Sequence, residues 1–140
     1  MKTNHLIALA AALCLGFTFA GVAAGKHKHE HLTAPKGGRI LAKTSPHAEL
    51  VIEKDRSVSV HFYDDKMKPV PHAGQTVTII ADAKAGKTKI EFEKKGDSLA
   101  SKSPLPEGEG YNLAVQFRQT SEAKPQNYRF KLDLHTCGEC

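Results

Sequence analysis

Short runs of alternating apolar and polar residues, separated by turn-forming clusters, constrain the fold of this chain more than any other feature. In the segment 57–63 the apolar side chains of Val58, Val60 and Phe62 alternate with more polar ones. Such alternation turns one face of a strand to the core and the other to solvent. No long helical periodicity and no internal repeat accompany it. The sequence therefore predicts an all-β protein, an immunoglobulin-like antiparallel β-sandwich of about seven or eight strands.

The predicted strands are bounded by clusters that are rich in Pro, Gly, Asp and Lys. The longest of these clusters cover residues 64–74 and 104–110. Residues of these types favour turn conformations or interrupt a strand. The predicted strands are Arg39–Lys43, His47–Glu53, Ser57–Tyr63, Thr76–Ala81, Lys87–Glu93, Ser98–Lys102, Tyr111–Arg118 and Asn127–Leu134.

The segment from Glu53 to Ser57 predicts a hairpin with a three-residue loop. Pairing these two residues keeps the apolar side chains of both strands on one face, and a slip of one residue would destroy that arrangement. The same register places Glu49 opposite His61, with His47 beside them on the solvent face. Directly opposed Cβ atoms lie about 4.5–5.5 Å apart. We therefore expect His47, Glu49 and His61 to converge on a surface spot with the chemistry of a zinc or copper site; an ordinary polar cross-strand pair is the alternative.

The start of the chain has the three parts of a secretory signal. Lys2 supplies a positive charge, residues 6–19 an apolar core, and residues 22–24 a small-residue cleavage site. The apolar core is too short for a membrane span. We therefore expect a periplasmic or secreted protein with no transmembrane segment after cleavage. The expected organisation is a signal peptide at 1–24, a mobile His-rich leader at 25–38, the β-sandwich domain at 39–135 and a Cys-x-x-Cys tail at 136–140.

Charge and motifs exclude several function classes. The formal net charge is +5 at pH 7, but the lysines are spread along the chain without a basic stripe interleaved with aromatic residues. This distribution gives no signature of nucleic-acid binding. A weak attraction to anionic surfaces is one interpretation, and a solvated surface of mixed charge is the simpler one. The motifs of hydrolases, metalloproteases, phosphate loops and dinucleotide-binding enzymes are missing, so we expect no enzyme.

The residues that follow the signal, Gly25 to His31, read Gly-Lys-His-Lys-His-Glu-His. Imidazole nitrogen suits copper, zinc and nickel. If cleavage follows Ala24, a free amine, two backbone amides and the ring of His27 can surround Cu(II) or Ni(II) in a square plane. Cleavage one residue away would move His27 out of position, whereas His29 and His31 could still bind metal loosely. We therefore predict metal capture by these three histidines, copper first; a solvated linker is the alternative.

The end of the sequence, His135 to Cys140, combines a Cys-x-x-Cys spacing with a nearby imidazole. His135, Cys137 and Cys140 can place two thiolates and one ring nitrogen on a zinc or copper ion. Because Cys14 would leave with the signal, an even pair would remain in an oxidising compartment, where a small disulfide loop is slightly favoured. Thiol exchange is a third interpretation, but the strand-to-helix context of a thioredoxin site is missing.

The placement of strands and turns resembles the layout of CopC-like periplasmic copper-resistance proteins. The resemblance lies in Ser45-Pro46, the strand at 57–62, the Pro-Leu-Pro-Glu-Gly turn at 104–108 and the strand at 111–117. It implies a small Greek-key β-sandwich that carries copper. The copper ligands of that family include an amino-terminal His and an Asp-Gly-His motif before the last strand. The corresponding segment here, residues 120–125, contains no His, so that site is not transferred.

A second resemblance lies in residues 31–41, which read His-Leu-Thr-Ala-Pro-Lys-Gly-Gly-Arg-Ile-Leu, and in His-Ala-Glu-Leu at 47–50. These segments are similar to a group of small exported proteins of Gram-negative bacteria that are His-rich before an Ala-Pro-His-Gly-Gly motif and are associated with metal handling. Lys36 stands where that motif has its His. We expect an exported transition-metal buffer, carrier or sensor whose partners are a metal ion and a periplasmic component of a metal-efflux system. The alternative is a structural or partner-binding sandwich that uses an exposed sheet edge or face.

Overall fold

A computed structural model describes residues 32–134 of the chain. All the regular secondary structure in this range is β-strand, and every pair of neighbouring strands is antiparallel. The described residues include no helix long and apolar enough to cross a membrane. The strands are β1 (Arg39–Leu41), β2 (His47–Ile52), β3 (Val58–Tyr63), β4 (Pro69–Val70), β5 (Thr76–Ala83), β6 (Gly86–Lys95), β7 (Ser98–Ser101), β8 (Asn112–Arg118) and β9 (Gln126–Lys131).

The strands form two sheets that share β6. The order across the first sheet is β1-β2-β3-β7-β6, with β4 pairing the end of β3, and the order across the second is β6-β5-β8-β9. Seven of the strands can be labelled A to G in chain order: β2, β3, β5, β6, β7, β8 and β9. The first sheet then has the order A-B-E-D and the second the order C-F-G. This is the arrangement of the immunoglobulin fold. The predicted fold class is therefore confirmed, with β1 and β4 added to it.

Both sides of the sandwich are nearly closed. On one side β6 passes between the sheets, because its first half pairs with β5 and its second half with β7. On the other side the Tyr128 hydroxyl of β9 donates a hydrogen bond to the Ala42 carbonyl at 2.6 Å, and the Arg39 guanidinium carbon lies 4.6 Å from the centroid of the Phe130 ring. Exposed edge strands invite pairing with other chains. These contacts bring side chains of β9 against the segment that contains β1.

The core lies between the sheets, as the alternating pattern predicts. The inward side chains of β3, Val58, Val60 and Phe62, are no more than 1% exposed. Apolar burial of this kind is the main favourable term in folding. The buried inward side chains of the second sheet include Val77, Ile79, Ala81, Ile90, Leu113, Val115 and Phe117.

Each predicted strand is present, but some ends differ. β1 ends at Leu41 rather than Lys43, whose φ of 63° lies in the left-handed region. β9 ends at Lys131, before the predicted Leu134, although Leu132 N–H still donates to the Tyr111 carbonyl at 2.8 Å in the same register. The short strand β4 lies within a segment predicted as turn. The alternating pattern thus predicted which segments form strands more accurately than it predicted where each strand ends.

A hydrogen-bonded corner precedes β8. The Tyr111 hydroxyl donates to the Pro106 carbonyl, five residues upstream, at 2.7 Å. Arg56 Nη1 donates to the same carbonyl at 2.8 Å, and Leu105 N–H donates to the Arg56 carbonyl at 2.9 Å. This is the tyrosine corner of immunoglobulin-like sandwiches. It ties the β2–β3 hairpin to the loop before β8 at one end of the domain.

Candidate functional site on the outer face of the first sheet

The predicted register of the β2–β3 hairpin is confirmed. Glu49 lies opposite His61 and His47 lies opposite Tyr63. The three-residue loop contains Arg56 with a φ of 66°, the left-handed conformation that closes such hairpins. The outer face of the first sheet therefore brings Glu49 and His61 together, as the sequence predicts.

The prediction that Glu49 lies on a solvent face is wrong. Its exposed fraction is 0%, because residues 34–38, which we call the strap, lie over it. The carboxylate accepts hydrogen bonds at Oε1 from Lys36 N–H at 3.0 Å and Gly38 N–H at 2.8 Å, and at Oε2 from the Tyr63 hydroxyl at 2.8 Å. Residues 36–38, expected at the end of a mobile leader, are therefore held on the sheet. A buried carboxylate needs such partners to offset its lost hydration.

The two glycines of the strap have separate physical roles. Gly37 has a φ of 73° and its N–H donates to the Ala34 carbonyl at 3.1 Å. This left-handed conformation costs other residues energy. A Cβ on Gly38 would overlap the carbonyl oxygen of Leu50, so the strap approaches β2 more closely than a side chain allows. The Gly-Gly pair of the Ala-Pro-Lys-Gly-Gly segment is thus required by docking.

The burial of this face changes the titration of two side chains. Burial, and then the hydrogen bond to Glu49, raise the pKa of Tyr63. Burial, and then the positive charge of Lys36, lower the pKa of His61, against the opposing charges of Glu49 and Glu53. Burial disfavours the charged form of either group. The site therefore combines a hydrogen-bonded carboxylate with an imidazole that favours its neutral form.

A small cleft lies beside the strap, with a volume of about 130 Å³. Typical sites for organic ligands have volumes of about 300–1,000 Å³. The cleft is therefore large enough for water or a small ion but not for a typical cofactor. It is lined by Lys36, His61, Phe62, Tyr63, Pro69, Val70, Asp97 and Ser98.

The structure does not assemble His47, Glu49 and His61 into a metal site. Residues 32–134 contain no group of three or more His, Cys, Asp or Glu side chains placed to hold a metal ion. The oxygens of Glu49 already accept hydrogen bonds from the strap and Tyr63, while His47 Nε2 lies 3.8 Å from Asp65 Oδ1. We expected His47, Glu49 and His61 to converge as metal ligands. The structure instead shows a buried Glu49 carboxylate bound to the strap and Tyr63, beside the His61 imidazole, which favours its neutral form.

Other predicted site residues lie outside the part of the chain that the structure describes. These are the leader histidines, the tail ligands and the signal peptide at 1–24. Their roles stay predictions. The residues concerned are His27, His29, His31, His135, Cys137 and Cys140.

Sequence reasoning missed the strap, its anchor on Glu49 and the Tyr63 hydroxyl that donates to the same carboxylate. One signal was present, because Glu49 stands within the apolar run Ala-Glu-Leu-Val-Ile at 48–52. An acidic residue that has apolar neighbours along a strand can indicate a covered face. The strap itself carried no such pattern.

Comparisons with protein families, with curated proteins and with solved structures find no match for this chain. The assignment to the immunoglobulin-like sandwiches therefore rests on strand order and on the tyrosine corner. Function has to be argued from individual residues.

Proposed function

We propose that this chain is an exported, periplasmic protein that binds transition metals, copper first and then zinc or nickel. It acts as a buffer, carrier or sensor. The observation that carries the proposal is the placement of His27, His29 and His31 at alternate positions shortly before the strap. Imidazole is the borderline ligand that these ions favour. The described sheet supplies no comparable ligand group within residues 32–134.

The strap supports this proposal because it gives the leader a fixed attachment point. Glu49 accepts hydrogen bonds from Lys36 and Gly38 N–H, and His31 precedes Lys36 by five residues. The sandwich therefore serves as a rigid holder for the metal-binding leader.

The tail gives a second proposed site with a similar attachment. Leu132 is 1% exposed and its N–H donates to the Tyr111 carbonyl at 2.8 Å. His135, Cys137 and Cys140 follow this anchored residue by three, five and eight positions. In the thiolate form the two cysteines complete a zinc or copper site with the imidazole. If they are joined as a disulfide, the leader alone binds metal.

Native mass spectrometry of the protein recovered from the periplasm tests the proposal. One spectrum gives the amino terminus and the number of bound metal ions. It also shows whether the mass is lower by roughly two daltons, as it is when two thiols form a disulfide. We expect a start at Gly25 with bound copper. Failure to find the protein in the periplasmic fraction would contradict export, and an amino terminus other than Gly25 would contradict the square-planar chelate.

Calorimetric titration with Cu(II), Zn(II) and Ni(II) then identifies the ligands. We expect a dissociation constant of about 1 μM or lower that weakens on acidification, since the ligands must lose protons. With Cys137 and Cys140 joined as a disulfide, the variant with His27, His29 and His31 replaced by Ala should lose this binding. A control that replaces His47, His61 and His72 with Gln removes as many imidazoles from the described domain and should retain it. Absence of micromolar binding in the unmodified protein would overturn the proposal.

A further inference from the structure

The outer face of the second sheet consists of four neighbouring strands in the order β6-β5-β8-β9. Their registers place Lys89, Ile80, Ala114 and Arg129 in one row across the face. Ile80 and Ala114 are half-buried in the middle of the row, while Lys89 and Arg129 are exposed at its two ends. The register therefore sets cations on the outer strands and short or apolar side chains between them.

The excess positive charge of the described domain is concentrated on this face. Elsewhere within residues 32–134 the basic and acidic side chains nearly balance, at twelve and eleven. A local excess of one charge raises the concentration of oppositely charged ligands at that surface. The face carries the cations Lys87, Lys89, Arg118, Arg129 and Lys131 and the carboxylates Asp82 and Glu91.

The existing ion pairs of the face do not neutralise it. Glu91 is 2.9 Å from Lys89 Nζ and 3.8 Å from Lys102 Nζ, and exposed pairs of this kind are weak. Asp82 lies in one row with Lys87 and opposes positive charge at that end of the face. The row of Lys89 and Arg129 therefore carries two cations and no carboxylate, the largest net positive charge of any row on this face.

The shape of this face suits an extended chain. Neighbouring strands lie about 4.8 Å apart, so β6 and β9 are separated by about 14 Å. Lys87 and Lys89 form one basic rim on β6, and Arg129 and Lys131 form the other on β9. Successive outward residues repeat about every 6.8 Å along each strand. We call this surface, with its floor on β5 and β8, the basic trough.

The floor favours a hydroxyl-rich ligand over stacked bases. Thr78, Gln116 and Asn127 form a polar row beside the apolar centre, with donors and acceptors that can bond sugar hydroxyls. Tyr128 and Phe130 pair with the inward residues of β8 and pack against the core. The trough therefore offers its outer surface no aromatic platform of the kind that single-stranded nucleic acids use.

We infer that the basic trough binds a linear anionic polysaccharide. Carboxylate or sulfate groups spaced along the polymer pair with the two rims, and the sugar rings lie over Ile80 and Ala114. Two parallel rows of cations about 14 Å apart, with apolar side chains between them, suit a single polymer chain better than the continuous surface of a membrane. This inference goes beyond the proposed function and needs no bound metal.

Binding of a short heparin fragment by the full mature chain tests the inference, with a chelator present so that metals do not contribute. The trough variant replaces Lys87, Lys89, Arg129 and Lys131 with Gln. A matched control replaces the exposed Lys54, Lys66, Lys68 and Lys95 with Gln, which changes the net charge equally. Far-ultraviolet circular dichroism shows whether each variant retains its β structure.

We expect the trough variant to bind heparin at least roughly tenfold more weakly, with the slope of log affinity against log salt reduced by about 3. The control variant should remain within about twofold of the unmodified protein, since its cations lie elsewhere. Equal weakening in both variants would overturn the inference, because net charge alone would then explain binding. No heparin binding, or tighter binding to oligothymidylate or phosphatidylglycerol vesicles, would overturn it as well.

Discussion

The outer faces of the two sheets begin from the same alternating pattern and end in different environments. On the first sheet the strap covers Glu49, which is 0% exposed. On the second sheet the side chain of Glu91, also at an outward strand position, is 53% exposed. Alternation along a strand therefore predicts which side chains point away from the core, but not which of them a neighbouring segment then covers.

The two carboxylates therefore contribute differently to stability. Glu49 accepts hydrogen bonds from two backbone amides and one hydroxyl in a place that water does not reach. Donors left unsatisfied in such a place carry their full desolvation cost. Glu91 pairs with Lys89 and Lys102 in solvent, where water replaces a lost partner. The outer face of the first sheet is thus held in a structural contact with the strap. The outer face of the second sheet remains accessible to a ligand.

Replacing Glu49 with Ala is expected to have the largest effect. The change leaves the N–H groups of Lys36 and Gly38 and the hydroxyl of Tyr63 without their acceptor. Each unsatisfied buried group costs about 1–3 kcal/mol, so we expect the free energy of unfolding to fall by about 3 kcal/mol or more. The matched change Glu91→Ala on the second sheet should cost less than about 1 kcal/mol. Urea denaturation followed by circular dichroism measures both.

A similarly small loss of stability in both variants would contradict the difference between the two outer faces. It would mean that the strap does not cover Glu49 in solution, and that the two outer faces are equally open. A large cost for Glu91→Ala alone would reverse the assignment of the covered face.

Much of the sandwich could be predicted because its evidence is local. Val58, Val60 and Phe62 turn inward simply because side chains alternate along a strand. The register that sets Glu49 opposite His61 follows from the same alternation and from a short loop. These features need only the residues of one hairpin.

The strap, the tyrosine corner and β4 were missed because they depend on contacts between distant segments. The strap docks only because Glu49 accepts its amides, 11 and 13 residues along the chain. Arg56 and Pro106 meet across 50 residues. The secondary-structure propensities of individual residues carry no information about contacts between segments so far apart in the sequence. The metal ligands predicted from the sequence lie beyond the described residues and stay predictions.

Replacing Tyr63 with Phe is expected to have a smaller effect than Glu49→Ala. The change removes one donor from the buried carboxylate but leaves both strap amides in place. We expect the free energy of unfolding to fall by about 1–2 kcal/mol. The matched change Tyr128→Phe removes a hydroxyl that bonds the Ala42 carbonyl in an exposed position, and water can take its place at a cost of about 0.5 kcal/mol. Equal costs measured by urea denaturation would show that Tyr63 is no more buried than Tyr128.

Acidification is expected to lower the free energy of unfolding least of all. It acts through His61, which lies on the outer face that the strap covers. Burial, and then the charge of Lys36, lower the pKa of His61 below its ordinary value of 6.5. Below that pH the unfolded chain therefore binds more protons at this residue than the folded chain does. The contribution of His61 to stability is complete above pH 6.5. It falls as the pH drops toward the lowered pKa, and it changes no further below it.

The variant Lys36→Gln separates the two causes of this shift. It keeps the backbone N–H that Glu49 binds but removes the second cause of the lowered pKa. Titration of the His61 ring signals by NMR should place its pKa below 6.5 in the unmodified protein, and higher in the variant without reaching that value. Burial, the larger cause, remains as long as the strap is docked. A His61 pKa at or above 6.5 in the unmodified protein would contradict a covered first face, since an exposed imidazole beside Glu49 and Glu53 would be stabilised in its charged form.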